Sequence, residues 1–306
     1  MKKFLLSTIV IVFGLVILDI LTGILGKELR NKLPDAANGP VVKINYITTR
    51  LKSDIVVFGS STATHHYVPG VIKSSLDSVY GVNNTFYNAG VDGHTLQYQC
   101  CWIELLLDRC SPKILILDTR DGFLFSKTKL NDLAPYYDDY DIVKEYFKDL
   151  DYKENIKVLS NLYKYNETLI KYLYGMSSKH EMDDGYQPLY RTMSDETANS
   201  ILEEQHNSKI SNKQPILDNI LVRVIEKCKE KNVLFVIACS PIFGDTTKNP
   251  CLTEICSKYN VPFIDFSSSE YFNMHHELFQ DSGHLNNTGA EEYSQMLINQ
   301  LLPYLN

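Results

Sequence analysis

The chain has 306 residues, 44% hydrophobic and 22% charged, with 15 Gly and 11 Pro. That is enough chain for one large domain or two small ones with a sizeable core, and it excludes a disordered or collagen-like polymer. Thirty basic against 37 acidic side chains leave a net charge of −7 with no basic cluster, so no nucleic-acid partner is expected. Twenty Tyr against one Trp skews the chain toward rings that pack on one side and hydrogen-bond on the other, as the walls of sugar sites do.

The first element is Phe4–Leu25, FLLSTIVIVFGLVILDILTGIL. As a helix it would span roughly 33 Å, enough to cross a bilayer. The run is longer than the apolar core of a cleaved signal, and no Ala-x-Ala site follows it. Residues 1–30 are therefore expected to be an uncleaved membrane anchor; cleavage would instead release the protein as secreted. Asp19 lies within the run, nearer its end than its centre, where an acidic group is less costly. Lys2 and Lys3 on one side nearly balance Lys27, Arg30 and Lys32 on the other, so charge does not set the orientation. Residues 31–50, with a polar start and two prolines, read as a stalk.

Short apolar runs then alternate with helical patterns. Strands are expected at Asp54–Gly59, Thr85–Ala89, Ile114–Asp118, Val233–Cys239 and Val261–Phe266. Leu96–Leu107 has helical spacing. Ala290–Leu302 closes the chain as an amphipathic helix, with Thr288 and Glu291 spaced as a capping box. Continuous apolar strands between helices imply a parallel sheet covered on both faces. More than 100 residues separate the third and fourth strands. That stretch, about 123–231, is too long for a simple crossover. It reads as a mostly helical insertion lying over the C-terminal ends of the strands, where open α/β sheets bind ligands.

The seven cysteines form no Cys-x-x-Cys pair, which argues against a zinc ribbon. Cys251 and Cys256 are spaced for a bridge in an oxidising compartment; otherwise the thiols serve as small apolar groups. His65-His66 and His275-His276 suggest metal ligands, but adjacent side chains on an extended backbone point opposite ways. No metal and no cofactor are expected.

Chemistry gathers at three points. The first strand runs into Gly59-Ser60-Ser61 and a helix, so a serine hydroxyl stands at a strand's C-terminal end, either as a nucleophile or as a helix cap. Asp281 and His284 are three apart on a tight turn before the last helix, where a carboxylate can hold an imidazole in the tautomer that accepts a serine proton. After the second strand, Asn88 to Thr95 carries Gly90 and Gly93, which let backbone approach a ligand closely. Nucleophile, base and orienter would all reach one sheet edge.

In these blocks the sequence resembles the SGNH (GDSL-like) hydrolases. Their first block, a strand ending Gly-Asp-Ser, is matched by Phe58-Gly59-Ser60-Ser61, which makes Ser61 the nucleophile. The second resembles Asn88-Ala89-Gly90-Val91-Asp92-Gly93, with Gly93 as the oxyanion glycine. The last, Asp-x-x-His, is matched by Asp281 and His284 and continues into Asn286. The resemblance implies a flavodoxin-like three-layer sandwich, with a central parallel sheet of about five strands over residues 51–306. One block departs. Where the family has Gly-x-Asn-Asp after the third strand, this chain has Leu117-Asp118-Thr119-Arg120-Asp121-Gly122. Loss of one oxyanion donor lowers rates by roughly 10²–10³. Arg120 either replaces that donor, binds an anionic part of the substrate, or pairs with Asp118 or Asp121.

The anchor and the insertion resemble acyl-modifying members of surface-polysaccharide pathways. That implies a serine esterase or O-acyltransferase that removes or transfers an acyl group, expected to be acetyl, on a surface or extracellular carbohydrate, an extracytoplasmic catalytic domain and a membrane acyltransferase partner. The alternative is a non-catalytic polysaccharide-binding or assembly partner with a degraded site.

Overall fold

The computed structural model describes residues 1–35, 39–81, 84–125, 127–177, 184–204 and 216–305. The chain divides into two units, one of Met1–Arg50 with Lys129–Glu181 and the other of Leu51–Thr128 with Met182–Asn306.

The second unit is built on a sheet of five parallel strands: β1 (Ile55–Phe58), β2 (Phe86–Asn88), β3 (Ile114–Asp118), β4 (Leu234–Cys239) and β5 (Phe263–Asp265). Their order is β2-β1-β3-β4-β5, the flavodoxin-like arrangement, in which ligands gather outside the carboxyl ends of β1 and β3 where the order reverses. The register aligns Ile55 with Phe86 on one side and with Ile114 on the other, and Ile114 with Leu234 beyond it. The central strands read as unbroken apolar runs because both faces are covered. Ile55, Val57, Ile114, Ile116, Val236 and Ala238 share one buried cluster with helices α4 (Pro69–Tyr80) and α14 (Asn287–Leu301). Their alternating neighbours Val56, Phe58, Leu115, Leu117 and Ile237 are equally buried and point to the other face. There α11 (Asp218–Glu230) packs on β4 and α5 (Leu96–Arg109) packs on α11. Truncating one of the strand isoleucines or leucines, such as Ile116 or Leu117, to Ala would cost about 2–5 kcal/mol.

The expected strands are all present and each is trimmed by a residue or more, except β3, which matches. The last helix begins earlier than expected. Its cap is Asn286, whose side chain accepts the Gly289 N–H at 3.1 Å, and not Thr288. All seven cysteines are free thiols, and Cys100, Cys101, Cys228, Cys239 and Cys256 are buried, so Cys251 and Cys256 do not bridge.

The first unit differs from what the sequence suggests. The segment read as a stalk, residues 31–50, carries helix α2 (Pro40–Thr49), whose Val42, Ile44 and Ile47 are buried; residues 36–38 lie outside the described residues. The insertion expected over 123–231 is not one body. Residues 129–181 group with the N-terminal 50, and the chain from 182 onward groups with the sheet; residues 126, 178–183 and 205–215 of that span lie outside the described residues. Within the first unit, α1 (Lys2–Asn31) packs its C-terminal part against α8 (Asn161–Tyr165) and α9 (Thr168–Ser177). Leu33, Val42, Tyr165 and Tyr172 form one buried cluster there, and Ile47, Leu133, Tyr146 and Phe147 are buried as well. Buried Arg30 donates to the Pro135 carbonyl and to Asp139, which Lys27 also reaches at 2.5 Å. A buried guanidinium is tolerable only with such partners. Helix α1 is long and apolar enough to cross a membrane.

Candidate active site

Strand β1 ends at Phe58, and the chain turns through Gly59 and Ser60 into the short helix α3 (Ser61–His66). Ser60 is the residue at the helix boundary, and its side chain makes no capping bond. Ser61 is the first helical residue, so its hydroxyl stands at the carboxyl edge of the sheet beside the reversal point. Between β6 (Phe279–Asp281) and β7 (His284–Leu285) the chain makes a tight antiparallel turn that pairs Asp281 with His284.

Three side chains meet there. Ser61 Oγ lies 2.8 Å from His284 Nε2. His284 Nδ1 lies 2.8 and 3.1 Å from the two Asp281 carboxylate oxygens. A carboxylate at Nδ1 holds the imidazole proton there, leaving Nε2 to accept from the serine. Asp281 also accepts the Gly283 N–H at 2.9 Å, which fixes the turn. The Asp281 side chain is 52% exposed and that of His284 is 28% exposed, so the dyad opens toward solvent.

Surrounding contacts hold this constellation in place. Asn88, wholly buried at the end of β2, donates to the Ala63 and Tyr67 carbonyls at 2.7 and 3.2 Å and accepts the Gly90 N–H at 3.0 Å. It thus ties α3 to the loop that carries Gly93. A Cβ on Gly90 would lie 2.4 Å from the Thr64 nitrogen, so that close approach requires glycine. Gly93 has φ +74° in an open turn. Asp118, buried at the end of β3, accepts the Ser240 N–H and hydroxyl at 3.0 and 2.9 Å and bonds the Thr62 side chain beside Ser61. Burial pushes its carboxyl up, and the charge of Arg120 opposes that.

Arg120 and Gly93 make no hydrogen bond to Ser61 among the described residues. The pairing considered for Arg120 with its flanking carboxylates is not formed either. Asp118 is committed as above, and Asp121 accepts the Cys251 and Leu252 N–H groups at the start of α12 (Pro250–Tyr259), both at 2.9 Å. The guanidinium is half-buried after β3 and makes no ion pair among the described residues.

Two residues near the site carry roles that the sequence reading missed. His65 and His66 lie on a helix and not on extended backbone. His65 Nδ1 donates to the Gln187 carbonyl at 2.7 Å, its Nε2 faces Asp92 at 3.4 Å, and its ring centroid is 5.5 Å from that of His284. His66 is fully buried, and its Nε2 accepts the Leu285 N–H at 2.9 Å. Burial, then the charges of His284, His65 and Arg120, hold it well below the ordinary histidine range. Part of the stretch expected as an insertion also braces the site. The Gln187 N–H donates to Thr64 O, that of Met193 to Phe279 O and that of Asn287 to Leu189 O. His275 and His276 lie apart from this group and face Glu277 and Asp195. Among the described residues no three His, Cys, Asp or Glu side chains are placed to hold a metal ion.

No protein-family model matches the sequence, and no curated protein matches it. Solved structures align with it at low identity. A two-domain esterase active on acetylated mannans, crystallised with mannopentaose, is 12% identical, with 90% of this chain and 56% of that one covered and a TM-score of 0.42. This chain therefore spans little more than half of that protein. An acetyl xylan esterase is 10% identical over 82% of this chain and 100% of its own, with a TM-score of 0.38. A lipase/acylhydrolase from Enterococcus faecalis is 12% identical over 83% and 98%, with a TM-score of 0.36. In its own sheet order, and in the positions of Ser61, Asp281 and His284 at one sheet edge, the chain resembles the SGNH hydrolases.

Proposed function

We propose that the second unit is a serine-dependent acyl hydrolase or O-acyltransferase acting on an acyl ester of a carbohydrate. The observation that carries this reading is the unbroken chain from Ser61 through His284 to Asp281, with both links at 2.8 Å. Ser61 Oγ attacks the acyl carbonyl carbon while His284 Nε2 takes its proton. Asp281 stabilises the imidazolium that forms. The tetrahedral oxyanion is held by the N–H groups of Ser61 and Gly93 and by the charge of Arg120. Collapse expels the sugar alkoxide, which takes the proton from His284 and leaves an acyl-Ser61 ester. Water, or a second sugar hydroxyl, then attacks that ester with His284 as base. A membrane acyltransferase partner delivering acyl groups would favour transfer over hydrolysis.

The carbohydrate and the acetyl group belong to this proposal on the resemblance set out from the sequence. So does the placement, with α1 as a membrane anchor and the catalytic unit outside the cytoplasm. The non-catalytic alternative rests on Arg120 standing where the family has Asn; the complete Ser61–His284–Asp281 chain weighs against it.

The test is covalent labelling of the full-length chain, in detergent, with a fluorophosphonate. A mass gain of one adduct in the wild type, absent in Ser61→Ala, is expected. No adduct under conditions that label a control esterase would overturn the hydrolytic reading, and glycan binding by the unlabelled protein would then favour the alternative.

A further inference from the structure

Along α1 every residue from Lys2 to Leu18 is exposed, and contact with the rest of the first unit begins at Asp19. The free apolar stretch Phe4–Leu18 would reach only about 22 Å, against roughly 30 Å of hydrocarbon in a bilayer. If α1 spans, the next two turns must also lie at lipid depth. Those turns contain Asp19 and carry the start of α8 alongside them.

Asp19 is hydrogen-bonded there. Its carboxylate accepts from Ser160 Oγ at 2.6 Å, Leu162 N at 2.9 Å and Asn161 Nδ2 at 3.0 Å. Three donors and a carboxylate that lipid could not satisfy thus satisfy one another. The segment that supplies them turns apolar side chains outward. Ile156, from α7 (Tyr152–Lys157), is 60% exposed, and Leu159 is 67% exposed. Leu162 is also exposed, and so are Ile20, Leu21, Ile24 and Leu25 on the face of α1 that α8 leaves open. Apolar side chains exposed together at one level around a membrane helix mark a lipid-facing surface.

We propose that the turn of residues 156–162 is a collar that sits in the bilayer, with Ile156, Leu159 and Leu162 in the acyl-chain boundary and the Asp19 carboxylate held by the donors of the same turn. The occupant of this face is lipid. The inference rests on the reading of α1 as a membrane span. The collar makes up the length that the free part of α1 lacks, and it lets a carboxylate stand within the span. It also fixes the depth of the first unit, because α1 cannot slide outward without exposing the collar to water.

The full chain is reconstituted into phosphatidylcholine–phosphatidylglycerol vesicles with and without acyl-chain bromines, which quench indole emission on contact. Two variants are compared, Leu159→Trp and Leu15→Trp, each against the wild type. The single native Trp102 is wholly buried in α5 and sets the background. Both positions are exposed, so neither substitution disturbs a core. The expected result is bromine-dependent loss of emission, with a shift to shorter wavelength, for both variants. Quenching at 15 but not at 159 would overturn the collar and leave the anchor standing, and a protein partner on the 156–162 face would give this same result. Quenching at neither would overturn the collar together with the span on which it rests.

Discussion

His66 accepts the backbone N–H of Leu285 through Nε2 at 2.9 Å, and Leu285 follows His284 directly in the chain. The strand that carries the candidate base is thus held by a second, neutral imidazole. An imidazolium has no lone pair to accept that N–H. Burial first, and then the neighbouring charges of His284, His65 and Arg120, depress the folded-state pKa well below 6.5. A depressed folded pKa gives stability that is fully present above the unfolded value and lost as pH falls through that value toward the folded one. Below about pH 6.5 the loss approaches about 1.4 kcal/mol per pH unit for this one proton. Denaturant unfolding across pH 7 to 5 is expected to show a steeper fall in the wild type than in His66→Gln, whose amide oxygen can accept the same N–H without titrating. Parallel slopes would rule out His66 as the titrating group.

Asp281 orients His284 from an exposed turn, with about half of its side chain in water. Replacing a buried triad aspartate with Asn lowers kcat by about 10⁴ through the wrong tautomer and the lost charge. Water screens the charge here, and the imidazole is freer to choose its tautomer. Asp281→Asn is therefore expected to lower kcat by less than that roughly 10⁴-fold loss, with KM little changed. Steady-state hydrolysis of p-nitrophenyl acetate measures this. A loss as large as that of Ser61→Ala would mean that the carboxylate does more than orient.

Arg120 forms no ion pair with either of the carboxylates that flank it, since Asp118 binds Ser240 and Asp121 binds the start of α12, although its charge still acts on Asp118. A guanidinium so placed at the reversal point is available to developing negative charge. If it serves the oxyanion, Arg120→Ala lowers kcat by roughly 10²–10³, and Arg120→Asn recovers part of that loss by restoring a neutral donor. If it binds an anionic substrate group instead, both variants raise KM for a charged ester and leave a neutral one unaffected. Comparing acetylated neutral and uronic-acid sugars separates the two roles.

The strands are legible because a doubly covered parallel sheet writes itself as unbroken apolar runs, so IVVF, ILILD and LFVIAC need no partner to be read. Ser61, Asp281 and His284 are legible because their spacing and flanking elements are local. What escapes is set by contacts distant in sequence. His66 meets Leu285 across 219 residues, and nothing beside His66 in the chain announces it. The first unit escapes for the same reason. Asp19 looks like a flaw in a membrane span until the turn at 160–162, more than 140 residues later, supplies its donors. The polar start of 31–50 suggests a stalk, yet Val42 is buried in a cluster with Tyr165 and Tyr172, from a segment that the sequence reading assigns elsewhere.

Gly90 and Gly93 separate two kinds of glycine requirement within one loop. At Gly90 an added Cβ would meet the Thr64 nitrogen at 2.4 Å and the Ala63 carbonyl carbon at 2.8 Å. Both atoms belong to the backbone of α3, so neither can rotate away. Gly90→Ala must therefore push α3 from the loop and strain the Asn88 bonds to Ala63 and Tyr67. A loss of about 1–3 kcal/mol is expected, with a fall in activity because Ser61 begins that helix. At Gly93 nothing stands within 4 Å of where a methyl would sit, but φ is +74°. The burden there is conformational, about 1–2 kcal/mol for an L-residue held left-handed. An exposed turn can relieve it by relaxing, and relaxation re-aims the Gly93 N–H. Gly93→Ala is therefore expected to lower kcat more than it lowers stability, and Gly90→Ala to lower both. Thermal unfolding and turnover measured on the two variants side by side test this. If Gly93→Ala keeps full turnover while losing stability, its N–H does not serve the oxyanion.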